Sequence, residues 1–187
     1  NHTMTELSST NTLIIVALEA ELPRKLLPTW RIVYSGVGKI NATITLCDAI
    51  TQYKPRAVVN YGTAGALQDQ LVGLYEVTKL FQRDMDATGL GFSLGQTPFE
   101  KDISLDLGRP GLSCGTGDQF VTNPPNLKTD LVDMEAYALA KVCKHKNLDF
   151  YCYKFVSDNA DGKAKIDWNE RMAEGAKLFC SQLLQNS

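Results

Sequence analysis

Apolar and polar positions alternate between two rhythms along this chain. Residues 13–18 form a continuous apolar run with β-branched members, the pattern of a strand buried on both faces. Residues 31–34 read as a second short strand running into the turn Gly36-Val37-Gly38-Lys39. Ile40, Ile44, Cys47 and Ile50 then recur at helical spacing, which predicts an amphipathic helix over 40–52, halted by Pro55. Residues 57–61 are the next strand, closed by the turn Gly62-Thr63-Ala64-Gly65. Further strands are expected over 75–81, 112–114 and 150–156. Helices are expected over 135–146, with Leu139, Val142 and Cys143 inward, and over 167–184, with Met172, Ala176, Phe179 and Leu183 inward. Residues 84–110 are rich in Gly, Asp and Pro and read mostly as loop, of a length that tends to be functional. Strand, glycine-containing loop, helix and strand in succession is α/β grammar.

Composition narrows the class. The 187 residues suit one domain, expected over 4–187, with Asn1–Thr3 before Met4 expected to be a cloning remnant. With 44% hydrophobic and 21% charged residues the chain is globular in type. A net charge of −2 gives a polyanion nothing to bind, so no nucleic-acid partner is expected. The apolar run at 13–18 is too short to cross a bilayer, and it has neither the basic flank nor the cleavage site of a signal peptide. Cys47, Cys114, Cys143, Cys152 and Cys180 are scattered and odd in number, which predicts free thiols in the cytoplasm. His145 is the only histidine beyond the presumed remnant. That speaks against a histidine metal site or a Ser-His triad, and His145 itself reads as a solvated helix-end residue.

The candidate chemistry is acidic. Glu19 and Glu21 follow the first strand, Glu135 sits at a strand-to-helix junction, and Asp158 follows the strand at 150–156. Ligands of open α/β sheets bind beyond the carboxyl ends of strands, so these acids can converge. Taken singly, each is accounted for as well by helix capping. The glycine turns lack both the P-loop spacing and the full dinucleotide pattern.

In order along the chain stand Ala17-Leu18-Glu19-Ala20-Glu21, Ser35-Gly36-Val37-Gly38-Lys39, Asn60-Tyr61-Gly62-Thr63-Ala64-Gly65, Gly117-Asp118-Gln119-Phe120, Val132-Asp133-Met134-Glu135-Ala136 and Val156-Ser157-Asp158-Asn159-Ala160-Asp161. This set resembles the purine nucleoside phosphorylase and nucleosidase superfamily, and most of all its 5′-methylthioadenosine/S-adenosylhomocysteine nucleosidases. The resemblance runs from about Leu13 to Phe179. It implies a three-layer α/β sandwich around a mixed sheet, a homodimer, a purine nucleoside as substrate, and no cofactor or metal.

It also implies roles. Asp158 would protonate the leaving purine at N7, and Glu135 would hold the ribose hydroxyls and face the developing cation. Glu21 would orient the attacking water. Thr63, Ala64, Gly65, Met134 and Ser157 would line the substrate, with Met134 against the sugar. Phe120 would stack on the base, Val121 would meet the purine edge through its backbone, and Trp168 would close over the base, although core packing is an equal reading of both aromatics. Two rivals stand beside hydrolysis. One is a phosphorylase, with Arg24 near the place of a phosphate-binding arginine and Thr63 free to serve either nucleophile. The other is a nucleoside-binding protein weakened in turnover. A pure interaction domain would leave the ordered acidic motifs unexplained. Three positions depart from the family: the 96–114 segment is shortened, Leu18 replaces a methionine, and Lys154 replaces an arginine.

Overall fold

A computed structural model describes residues 6–157 and 166–186, with the side chains of Ile166 and Asp167 outside the description. Nine strands form one mixed sheet in the order β2-β1-β3-β9-β5-β7-β8-β4, with β6 paired to β5. The strands are β1 (Thr12–Val16), β2 (Arg31–Tyr34), β3 (Ala57–Thr63), β4 (Gly65–Ala66), β5 (Gly73–Gln82), β6 (Ser104–Asp106), β7 (Leu112–Thr116), β8 (Leu131–Asp133) and β9 (Asp149–Val156). The helices are α1 (Lys39–Tyr53), α2 (Ala136–Lys146) and α3 (Ile166–Gln185).

The period of two assigns the layers. On β9, Phe150, Cys152 and Val156 pack with Leu46 of α1 and Leu139 of α2. Their alternates Tyr151, Tyr153 and Phe155 pack with Phe179 and Leu183 of α3 on the opposite face. Strand β1 divides in the same way, Leu13 and Ile15 to one side, Ile14 and Val16 to the other. Both faces are therefore covered, as the unbroken apolar runs require.

The sheet also curls. Only Ala64 separates β3 from β4, yet β4 pairs with β8 at the far edge, Gly65 opposite Val132. The chain thus brings the last strand back beside β3. Strand β5 pairs with β9 along its first half and with β7 and β6 along its second, its register with β7 being irregular between Val77 and Lys79. Side chains on β8 and β9, which are not neighbours in the sheet, can consequently meet across the curl.

Several expected boundaries are corrected. Strand β1 ends at Val16, because Leu18 leaves the sheet with its amide on Glu21. The expected turn at Gly62-Thr63-Ala64-Gly65 continues as strand through Thr63 and resumes as β4. Strand β8 supplies the strand side of the expected strand-to-helix junction before Glu135, and a short strand, β6, lies within the expected loop at 84–110. The buried side of α1 is Ala42, Leu46 and Ala49, whereas Ile40 and Ile44 are 72% and 55% exposed. Small alanines let α1 lie close on the layer beneath, and the bulkier isoleucines face outward. The expected stripe of α3 holds, with Met172, Ala176, Phe179 and Leu183 all buried.

Candidate active site

Of the acids that motif order singled out, Glu21 and Glu135 lie close enough to act on each other electrostatically, while Glu19 is exposed. Glu21 is buried, although it lies in the loop after β1. Its Oε1 accepts the Leu18 amide at 3.2 Å, and its Oε2 accepts both the amide (2.8 Å) and the hydroxyl (3.0 Å) of Thr63 at the end of β3. Glu135 stands at the N-cap position of α2. Its Oε2 accepts the Gly38 amide, 2.8 Å away, at the start of α1. Gly38 has φ +100°, a conformation side chains avoid, and this places its N–H toward Glu135. The next amide, Lys39, donates to Asp118 at 2.8 Å. The start of α1 therefore joins the acid of β8–α2 to the β7–β8 loop that carries Phe120 and Val121.

Burial pushes the Glu135 carboxyl up, and the neighbouring Asp133 and Glu21 push the same way. Lys154 and the Gly38 amide hold it back, leaving it raised to about 6.

Other expected residues are distributed as follows. Thr63 and Ala64 are half-buried, and Gly65 is exposed in β4. Met134 is half-buried between Asp133 and Glu135, and Ser157 half-buried directly after β9. Phe120 is 85% exposed and Val121 half-buried. Trp168 lies in the first turn of α3, 45% exposed. Asp158 falls outside the described residues. Glu19 is exposed. Arg24, the candidate phosphate ligand, donates to the Ile32 carbonyl at 2.8 Å and lies over the Tyr34 ring, so its guanidinium is engaged by β2. His145 is exposed in the last turn of α2, and all five cysteines are free. Among the described residues no group of His, Cys, Asp or Glu is disposed to hold a metal ion, and no helix is long and apolar enough to cross a membrane.

Three participants were missed. Arg83, at the end of β5, is buried and donates to four carbonyls, those of Gly115, Gly117, Gln119 and Asp133, so it fixes the course of the Phe120 loop. Asp133 is wholly buried and accepts from Thr116, Cys114, and the amides of Glu135 and Ala136. Lys154, noted only as a departure from the family, forms an ion pair with Asp133 at 3.1 Å, each side chain 1% exposed. A signal for Lys154 existed: it is the one charge inside an otherwise apolar strand buried on both faces. None existed for Arg83, whose partners are backbone carbonyls brought together by the fold.

Comparison with known proteins agrees with this arrangement. The model of the phosphorylase superfamily matches residues 29–107 and 114–185. A 5′-methylthioadenosine/S-adenosylhomocysteine nucleosidase of Staphylococcus haemolyticus is 31% identical, covering 79% of this chain and 76% of that protein. The one of Staphylococcus carnosus is 32% identical, covering 81% and 78%. Among solved structures, the Campylobacter jejuni nucleosidase of this name superposes with a TM-score of 0.80 at 24% identity, covering 94% of this chain and 97% of its own. A futalosine hydrolase mutant of Helicobacter pylori superposes at 0.78 with 20% identity, covering 94% and 96%, a likeness of fold. With family motifs in order, a curled mixed sheet and two carboxylates gathered at its strand ends, the chain belongs to the phosphorylase superfamily and, within it, to the family of 5′-methylthioadenosine/S-adenosylhomocysteine nucleosidases.

Proposed function

We propose that this chain hydrolyses the N-glycosidic bond of an adenine nucleoside whose ribose bears a 5′ thioether substituent of the methylthio or homocysteinyl kind. The observation that carries the choice of water over phosphate is the fixed position of Glu21, buried and clamped to Thr63 while Arg24 is engaged elsewhere. A carboxylate there accepts a proton from water but repels a phosphate dianion. As the C–N bond stretches, positive charge grows on the ribose. Glu135, held from one oxygen by Gly38, has its other oxygen for the ribose hydroxyls and faces that charge. Asp158 gives the departing purine its proton at N7, water adds to the anomeric carbon, and Glu21 receives the water's proton. Phe120 stacks on the base, Val121 meets its edge, Met134 and Ser157 border the sugar, and Trp168 closes over the base.

The same reading includes a homodimer. Ile40 and Ile44 of α1 lie with Tyr137, Ala138 and Val142 of α2 around one open groove, and the two exposed isoleucines on its rim suit a contact between copies. The cytoplasm suits the five unpaired cysteines.

A chromatographic test decides the chemistry. The protein is incubated with 5′-methylthioadenosine, with and without phosphate. Free adenine and a free ribose derivative in phosphate-free buffer are expected. Cleavage that requires phosphate and yields a ribose 1-phosphate would establish phosphorolysis instead, and adenine-nucleoside binding with no cleavage would establish a binding protein.

A further inference from the structure

Lys154 is an unlikely tenant of its surroundings. It projects on the same face of β9 as Phe150, Cys152 and Val156, all core. A buried ammonium is tolerated only when paired. Its partner Asp133 is on β8, with two strands between them in the sheet, so the pair closes across the curl. The Asp133 oxygen that meets Lys154, Oδ2, also accepts the amides of Glu135 (3.1 Å) and Ala136 (2.7 Å). Asp133 thereby fixes the first turn of α2, and the place of Glu135 follows from it. Lys154 reaches the site on its other side too. A Cβ added to Gly62 would stand 3.0 Å from Lys154 Nζ and 3.5 Å from Glu21 Oε2. The ammonium and the Glu21 carboxylate thus border the one space that this missing side chain leaves.

We propose that Asp133 and Lys154 are positioning residues of the nucleoside site, Asp133 by setting the start of α2 and Lys154 by holding one positive charge against Asp133, beside the Glu21 carboxylate and within electrostatic reach of Glu135. The proposal rests on the function given above. Two carboxylates turned toward one pocket raise each other's proton affinity, and a fixed cation offsets this. Four described groups act on Glu135 from the elements around it: Lys154 on β9, Asp133 on β8, Glu21 after β1, and the Gly38 amide at α1. Lys154 and Gly38 favour its ionised form; Asp133 and Glu21 oppose it.

Opposite signs make the test specific. The protein is labelled with ¹³C at glutamate carboxyls, and the Glu135 signal is assigned by its loss in Glu135→Gln. Its titration midpoint is then compared among the unsubstituted protein, Lys154→Met, Lys154→Arg and Asp133→Asn, alongside the pH profile of kcat/KM for 5′-methylthioadenosine. Lys154→Met should raise the midpoint by about one unit or more and carry the acid limb of activity with it. Asp133→Asn should lower the midpoint, and Lys154→Arg should restore the original value. A purely structural pair would lower the melting temperature and leave the midpoint in place, and that result, or shifts of the same sign in both variants, would overturn the proposal. If Lys154→Met does not fold, Asp133→Asn is compared with the double variant Asp133→Asn/Lys154→Met, whose midpoint should lie above that of Asp133→Asn alone; coincident midpoints would overturn the proposal. The NMR titration needs no turnover, so absence of adenine release by the unsubstituted protein would sink the proposed reaction without deciding this arrangement.

Discussion

Glu19 and Glu21 are two residues apart and chemically alike, yet one is exposed and the other buried against Thr63. Position in the fold, not residue type, separates a solvated acid from a buried, hydrogen-bonded one. The same contrast holds between Glu19 and Glu135. In the proposed role Glu135→Gln removes the charge that faces the cationic sugar, and it should cost on the order of 3 kcal/mol of transition-state stabilisation, roughly a hundredfold in kcat/KM. Glu19→Gln should stay close to the parent. Steady-state kinetics on folded variants checks this, and equal mild losses would remove Glu135 from the proposed role. The pH dependence has a definite sign. Glu135 is raised to about 6 by burial, and only its ionised form can face the growing cation. Above that pH the carboxylate is present; as pH falls through it the group protonates, so kcat/KM should decline on the acid side near pH 6. A profile flat down to pH 4.5 would contradict the assignment.

At the scale of elements, close approach explains choices that propensity does not. Gly175 lies within α3, where alanine would favour the helix by about 1 kcal/mol. A Cβ there would stand 2.4 Å from the Tyr61 hydroxyl and 2.7 Å from the Phe155 ring. Tyr61 is itself stacked on Phe179, so the obstruction cannot move freely. Overpacking costs about 1–3 kcal/mol, which outweighs the helix gain. Gly175→Ala should therefore lower the melting temperature by several degrees. A thermal unfolding scan that shows no change or a rise would mean that α3 shifts to accommodate the methyl group. Strand β9 illustrates the same principle from the sheet side. Its alternation supplies both core layers, and Lys154 interrupts one of them at the level of the site.

For the whole molecule, the face formed by α1 and α2 leaves two large apolar side chains uncovered. Ile40 at 72% and Ile44 at 55% exposure are large apolar groups beside Tyr137 and Val142. Light scattering should give the mass of two chains. Ile40→Asp combined with Ile44→Lys should give one chain without lowering the stability of the protomer, because neither side chain belongs to its core. A monomeric mass for the unsubstituted protein at working concentrations would reject the homodimer, and a dimer persisting in the double variant would place the contact elsewhere.

Local patterns in the sequence were enough for β1, β2, β3, β9 and the stripe of α3, because period and apolar density are properties of neighbouring residues. Ordered motifs likewise pointed to Glu21 and Glu135 before any geometry was known. The stripe of α1 was misread because bulk stood in for burial: Ala42 and Ala49 pack inside, and Ile40 and Ile44 do not. Strand β8, three residues long, is too short for a period to register, and β4 lies within a glycine-rich stretch that reads as a turn. What only the tertiary structure decided is the curl that returns β4 to β8 and lets Lys154 meet Asp133. That pairing joins residues distant in the chain and separated by two strands of the sheet. The physical reason is that a buried charge is explained by its partner, and a partner brought by long-range strand order leaves no trace in local sequence.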